Sequence, residues 1–303
     1  MNQSILLIGS TGQLGQELQQ ILAPYSNVIT VARPNIDLAQ PDSVRQIVTQ
    51  VQPQVIINAG AYTAVDKAES EPQIAKAVNE IAPGVLAQEA KKLGAFLIHF
   101  STDYVFDGDR SLPYLETDKT NPLSVYGESK LSGELAIRYN SDNHIIIRTS
   151  WVYGVHGKTN FVKTMLKLGA EREEICVVSD QIGSPTWTGD IASTVAKLLP
   201  QLEPSIGGTY HYTNSGIASW YDFAVAIFEE AQQLNFPLKV ERVIPIATAD
   251  YPTAAQRPAY SVLSCAKITK TLGTPPPHWR QGLRKMLAQL SANTYESTNS
   301  LRR

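Results

Sequence analysis

Apolar and polar positions along the first half of the chain fall into alternating blocks of two periods. "ILLIG" (residues 5–9) is a short run apolar on both faces, as a strand inside a parallel sheet requires, and "GQELQQILA" (15–23) follows with helical spacing. "NVITVA" (27–32) predicts a second strand. "PDSVRQIVTQV" (41–51) opens on Pro41 and Asp42, both helix-start residues, and "QVIINAGA" (54–61) returns to strand. "EPQIAKAVNEIAPGVLAQEAKKLG" (71–94) predicts a long helix that kinks or breaks at Pro83 and ends near Gly94. "AFLIHFST" (95–102), "YGESKLSGELAIRYN" (126–140) and "HIIIRTSWVYG" (144–154) then give strand, helix and strand. Strands separated by helices predict an α/β fold with a doubly wound parallel sheet of the Rossmann type.

Beyond residue 150 the pattern loosens. "TNFVKTMLKLGAERE" (159–173) and "WYDFAVAIFEEAQQLN" (220–235) predict amphipathic helices, and "EICVVSDQ" (174–181) a strand. "TADYPTAAQRPAYSVL" (248–263) lacks a period and predicts an ordered surface loop, while the polar "SANTYESTNSLRR" (291–303) is expected to fray. Residues 1–150 are expected to form a dinucleotide-binding domain whose sheet is completed by parts of 174–200. Residues 151–303 then form mainly a smaller C-terminal substrate-binding lobe, with no linker between the two.

Composition narrows the function. A chain of 303 residues with 18% charged residues and a net charge of −2 has no electrostatic appetite for nucleic acid or acidic lipid. No apolar run approaches the length of a membrane span, and the chain reads as soluble and cytoplasmic. Cys176 and Cys265 lack metal-ligand spacing and are expected to be reduced core residues.

Gly9, Gly12 and Gly15 form G-x-x-G-x-x-G at the first strand-to-helix turn. Glycine there permits a tight turn, close approach of a pyrophosphate to backbone, and close helix–strand packing, and the helix N-terminus offers free N–H groups. The alternative is a turn that binds nothing. The second strand ends at Ala32 and Arg33 without the carboxylate that would accept from a ribose 2′-hydroxyl. Arg33, with the hydroxyls of Ser10 and Thr11, reads either as the partner of a 2′-phosphate or, for the arginine, as a solvated surface cation. NADPH is therefore the expected cofactor, with NADH usable. Asp37 and Leu38, in a loop after a third short strand, are placed to cover the adenine, and Ala59, Gly60 and Ala61 allow a cofactor to lie against backbone.

Tyr126 and Lys130 form Y-x-x-x-K, which a helix puts on one face, and an ammonium beside a phenol favours phenolate. Alone the pair is equally a solvated helix face. Ser101 and Thr102, hydroxyls at a strand end, point into the expected cleft or cap the next element. The five histidines are scattered, and none is assigned a chemical role.

The order of these motifs resembles the short-chain dehydrogenase/reductase superfamily in its extended form. The likeness is carried by "GSTGQLGQEL", "FSTDYVFDG", "NPLSVYGESKLSGE", "RTSWVYG" and "VVSDQIGSPTWTGDIA" over nearly the whole chain. It implies reduction at C4 of a dTDP-linked 4-keto-6-deoxy sugar. It further implies Tyr126 as proton donor, Lys130 as the group that lowers its pKa and bonds the nicotinamide ribose, and Thr102 as the group polarising the carbonyl. Gly12, Gln13, Leu14, Asp37, Leu38, Ala61, Tyr62, Thr63 and Phe100 match cofactor contacts. Asp103 and Trp151 match substrate contacts, and Asp180, Gln181 and Arg257 lie in segments suited to the nucleotide diphosphate. Some relatives bridge two subunits with a metal, but of the carboxylates this needs only Glu17 is present, the others aligning with Gly189 and Gln289. No metal site is expected, and the chain is expected to be a monomer or weak homodimer. A sibling epimerase or 4,6-dehydratase is the nearest rival, and a non-catalytic regulatory subunit of a methionine adenosyltransferase the rival from another class.

Overall fold

A computed structural model describes residues 3–24 and 27–300, with side chains to residue 293. Five strands of the first half, β1 Ser4–Ile8, β2 Asn27–Val31, β3 Val55–Asn58, β4 Phe96–Thr102 and β5 His144–Thr149, join β6 Gly208–His211 in one sheet. The order is β6-β5-β4-β3-β1-β2 and every pair is parallel. Contrary to the expectation that parts of 174–200 complete the sheet, no strand of that segment joins it. Strand Glu174–Val178 instead pairs with Arg242–Ile246 in the C-terminal lobe, leaving Cys176 exposed.

Alternation along each strand loads two cores. Ile5, Leu7, Ile57, Ile98 and Ile147 pack on one face with α1 Gln13–Leu22 and with helix Thr188–Leu198, which returns from the second half. Leu6, Ile8, Ile56, Leu97 and Ile146 pack on the other with α2 Pro41–Val51 and α3 Ala82–Leu93. A third core, around Trp187, Phe223 and Trp279, fills the C-terminal lobe. Helix Trp279–Ser300 runs through most of the terminal segment expected to fray, and residues 301–303 of that segment lie outside the described residues.

Pro83 acts before its own position. Its ring has no N–H to give the Asn79 carbonyl, and residues Ala77–Ile81 widen into a π turn between Pro72–Lys76 and α3. That carbonyl faces Gly133 of α4 Val125–Asn140, where any side chain would collide with it. Asn79 itself, buried in the turn, bonds Tyr62 N and O and donates to Ser129 Oγ.

Candidate active site

Between β1 and β3 the strand order reverses, and the crevice outside their C-terminal ends is where such sheets hold ligands. A cavity of about 700 Å³ opens there. Its floor is the glycine turn. Gly9 has φ +81°, and a Cβ on it would lie 2.6 Å from Gly60 N; a Cβ on Gly15 would strike the Gly9 carbonyl. Gly12 caps α1 without any side chain over the helix end, so the first N–H groups face the cavity. A side chain on Gly60 would meet Leu38 Cδ1 at 2.6 Å. These close approaches fit a pyrophosphate laid against backbone and a dinucleotide extended over Ala59–Thr63, all of which line the cavity.

Gly9, Thr11, Gly12, Gln13, Leu14, Arg33, Leu38, Phe100, Tyr126 and Lys130 line it as well. Ser10 and Gly15 are not among its lining residues. Asp37 follows the second strand, not a third; its carboxylate accepts from Ala39 N and lies 3.7 Å from Arg33 in a pair too exposed to hold either group firmly. The cavity wall also includes Gly157, Lys158 and Thr159, which the pattern of residues did not single out. That loop is tied to the helix end through Asn160, which donates to Gln13 Oε1, while Gln13 donates to Val152 O.

The catalytic candidates meet at the other end. α4 starts under Ser124, whose Oγ accepts from Gly127 N, and Gly127 lets it press against the Tyr104 carbonyl. The ring of Tyr126 packs edge-on to Tyr104 at 5.7 Å, and Thr102 Oγ1, at the end of β4, lies within hydrogen-bonding reach of the Tyr126 phenol. Thr102 also donates to Asp103 Oδ1 at 3.0 Å. Burial pushes the Asp103 carboxyl up to about 6, and its Oδ2 has no hydrogen-bond partner.

Lys130 corrects one expectation. In this structure its Nζ makes no hydrogen bond to the phenol: it donates to Phe100 O at 2.6 Å and lies 3.3 Å from His99 Nε2. The Tyr126 phenol is accordingly pushed up, to about 12, by burial and by the Asp103 charge, against the opposing pull of Thr102. Burial brings Lys130 down to about 8, partly offset by Glu134. Glu134 is fully buried, accepts from Ser101 Oγ at 2.6 Å and takes both Nε and Nη2 of Arg148.

The remaining candidates have partners within the chain in this structure. Trp151 adopts φ +48° just past β5; its indole stacks on Trp220 at 3.5 Å and covers Gly183, which has no side chain to obstruct it. Asp180 accepts from Thr248 N and Oγ1, and Gln181 donates to the same hydroxyl, so both tie down the 248–250 turn. Arg257 grips Asp66 with both terminal nitrogens and hydrogen-bonds Tyr104, which brings it to the edge of the Tyr126 site. Glu17 is buried beside Thr188 and His156.

A parallel sheet with a glycine turn at its switch point and a strand-end Thr beside a Tyr/Lys helix defines an NAD(P)H-dependent oxidoreductase of the short-chain type. The chain belongs to the family described as RmlD substrate binding domain, whose model matches residues 2–292. It is 45% identical over 284 residues to dTDP-4-dehydrorhamnose reductase of Burkholderia thailandensis, covering 91% of this chain and 95% of that one. It is 43% identical over 297 residues to the protein of the same name from Escherichia coli K12, covering 96% and 99%. The crystal structure of dTDP-4-dehydrorhamnose reductase from Bacillus anthracis in complex with NADP superposes with a TM-score of 0.89 at 38% identity, covering 95% of this chain and all of that one.

Proposed function

We infer that this chain reduces the C4 ketone of dTDP-4-dehydro-L-rhamnose to the alcohol of dTDP-L-rhamnose, using NADPH. The observation that carries the reading is that Tyr126 and Lys130, on one helix, line a dinucleotide-shaped crevice with Thr102 close to the phenol at the end of β4. Likeness to reductases of that name over nearly full length supports the substrate.

The glycine turn and the uncapped start of α1 would hold the pyrophosphate, Ala59–Thr63 and Leu38 the adenosine half, and Phe100, Tyr126 and Lys130 the nicotinamide half. Arg33 lies where a 2′-phosphate would reach, which favours NADPH over NADH. When bound, the reduced dinucleotide supplies hydride to the carbonyl carbon.

Thr102 holds the carbonyl oxygen and polarises it. Tyr126, protonated throughout the working pH range, donates its phenolic proton to that oxygen as charge builds on it. Lys130 carries the positive charge that makes the resulting phenolate tolerable, turning from Phe100 O to do so. Asp103, with one oxygen free, accepts from a sugar hydroxyl. Trp151 offers an apolar face for the 6-methyl group, and Arg257 exchanges part of its hold on Asp66 for the nucleotide diphosphate.

On this reading residues 1–150, with helix Thr188–Leu198 and β6, hold the dinucleotide, and the rest of the second half holds the sugar nucleotide. One chain carries the whole catalytic set, which suits a monomer or weak homodimer, and the free thiols of Cys176 and Cys265 suit the cytoplasm. Steady-state assay with the keto sugar and NADPH, with the product identified by NMR, tests the assignment.

A further inference from the structure

His99 lies in the middle of β4, 1% exposed, where every neighbour along the strand faces a hydrophobic core or the site. Its partners can be assigned by donor and acceptor. The Gly60 backbone N–H can only donate, and it meets Asn58 Oδ1 at 3.1 Å. That fixes the Asn58 amide, so its NH₂ faces His99 Nδ1, 3.1 Å away. Nδ1 must therefore accept, and a neutral imidazole that accepts at Nδ1 carries its proton on Nε2. Nε2 in turn faces Lys130 Nζ at 3.3 Å.

An Nε2–H pointing at Lys130 forms a hydrogen bond only to the lone pair of a neutral amine. Against an ammonium, two donors would face each other at 3.3 Å, too close for a water to sit between them. From this geometry we propose that His99 is a positioning residue: held by Asn58, it presents an N–H to Lys130 that favours the amine and so loosens the lysine's hold on its proton.

The inference rests on the reductase reading for its purpose. Once Tyr126 has given its proton to the sugar oxygen, the O–H bond broken there is restored when an N–H bond of the Lys130 ammonium breaks toward the phenolate. That leaves the amine that His99 stabilises, and water in the cavity returns the proton to it. The other groups facing Lys130 are accounted for. Glu134, one turn along α4, favours the ammonium, but its carboxylate is engaged by Arg148 of β5 and Arg138 of its own helix. Tyr126, one turn back, is uncharged until turnover. Burial and the Lys130 charge keep His99 itself far below its ordinary range, so the imidazole stays neutral.

The test begins on the cofactor-free protein, so that it stands apart from catalysis. In protein labelled with ¹⁵N-histidine, the His99 nitrogens are assigned as those missing from His99→Gln among the five histidines. The expected spectrum is a single Nε2–H tautomer that does not titrate at neutral pH; an Nδ1–H tautomer or an imidazolium overturns the proposal. The second arm is the alkaline limb of kcat/KM. His99→Leu removes the N–H, and the limb moves up by about one pH unit, the scale of one lost hydrogen bond. His99→Gln keeps an N–H toward Lys130 and holds the limb within about 0.3 units of wild type. A limb unmoved in a folded His99→Leu protein contradicts the proposal even if activity falls. If the leucine variant does not fold, the tautomer decides alone.

Discussion

Glu134 and Arg148 face each other behind the catalytic trio, both essentially without solvent exposure, joined by Arg148 Nη2 to Oε2 at 2.7 Å and Nε to Oε1 at 2.8 Å. The pair bolts α4, which carries Tyr126 and Lys130, to β5, and Ser101 adds β4 to the same carboxylate. A buried fork-to-carboxylate pair contributes little net stability over apolar packing, yet it is costly to break from one side. Its value here is position: it fixes the helix face on which the chemistry depends.

Glu134→Gln leaves the Arg148 charge buried without its counter-charge. Denaturant unfolding should show a loss of about 3–5 kcal/mol, whereas the double change Glu134→Leu, Arg148→Met should recover much of it. A loss below about 1 kcal/mol in the single variant would return the pair to a minor structural role.

Tyr126→Phe keeps the ring that packs on Tyr104 and removes only the proton donor. Turnover should fall at least about 10²-fold with the dissociation constant of NADPH unchanged. Near-normal turnover in this variant would reassign the acid to another group.

Gly15→Ala drives a methyl group into the Gly9 carbonyl and so opens the turn that cradles phosphate. Stability should drop by about 1–3 kcal/mol and NADPH binding should weaken by more than tenfold. Binding of normal strength would show that the turn does not contact the dinucleotide.

Arg33→Ala separates the two cofactors. Loss of one charge-assisted contact to a 2′-phosphate should weaken NADPH about tenfold while NADH binding stays within about twofold. Equal effects on both would make Arg33 a surface cation, as its exposed pairing with Asp37 alone suggests.

The alkaline limb of kcat/KM belongs to Lys130. Its ammonium form is the active one and burial has brought it down to about 8, so activity should be full below that pH and decline as pH rises through it. Tyr126, near 12, contributes nothing to this limb. A flat profile from pH 7 to about pH 10 would contradict the role given to the lysine.

Five of the six sheet strands are legible because they are apolar on both faces and bounded by helices with clear periods. β6 escapes because it is short and mixed in character: Tyr210 serves one core, while His211 turns to Arg148 on the other side. Pro83 predicts an interruption, but its form as a π turn that aims Asn79 at Tyr62 and Ser129 depends on contacts between distant segments. The glycine turn and the Tyr/Lys helix are legible because their chemistry imposes a spacing. The surroundings of Lys130 are not, since His99 sits in a strand whose pattern reads as plain apolar core, and only the fold brings Asn58 to its other nitrogen. Asp180 and Gln181 show the converse: a segment matched to a family can spend its polar groups on holding its own loop.

The most direct test is to mix the protein with dTDP-4-dehydro-L-rhamnose and NADPH and follow both nucleotides. One NADPH should be oxidised for each sugar reduced, with dTDP-L-rhamnose as the product. Consumption of the sugar without NADPH oxidation, or persistence of the ketone while NADPH remains intact, would contradict the reductase assignment.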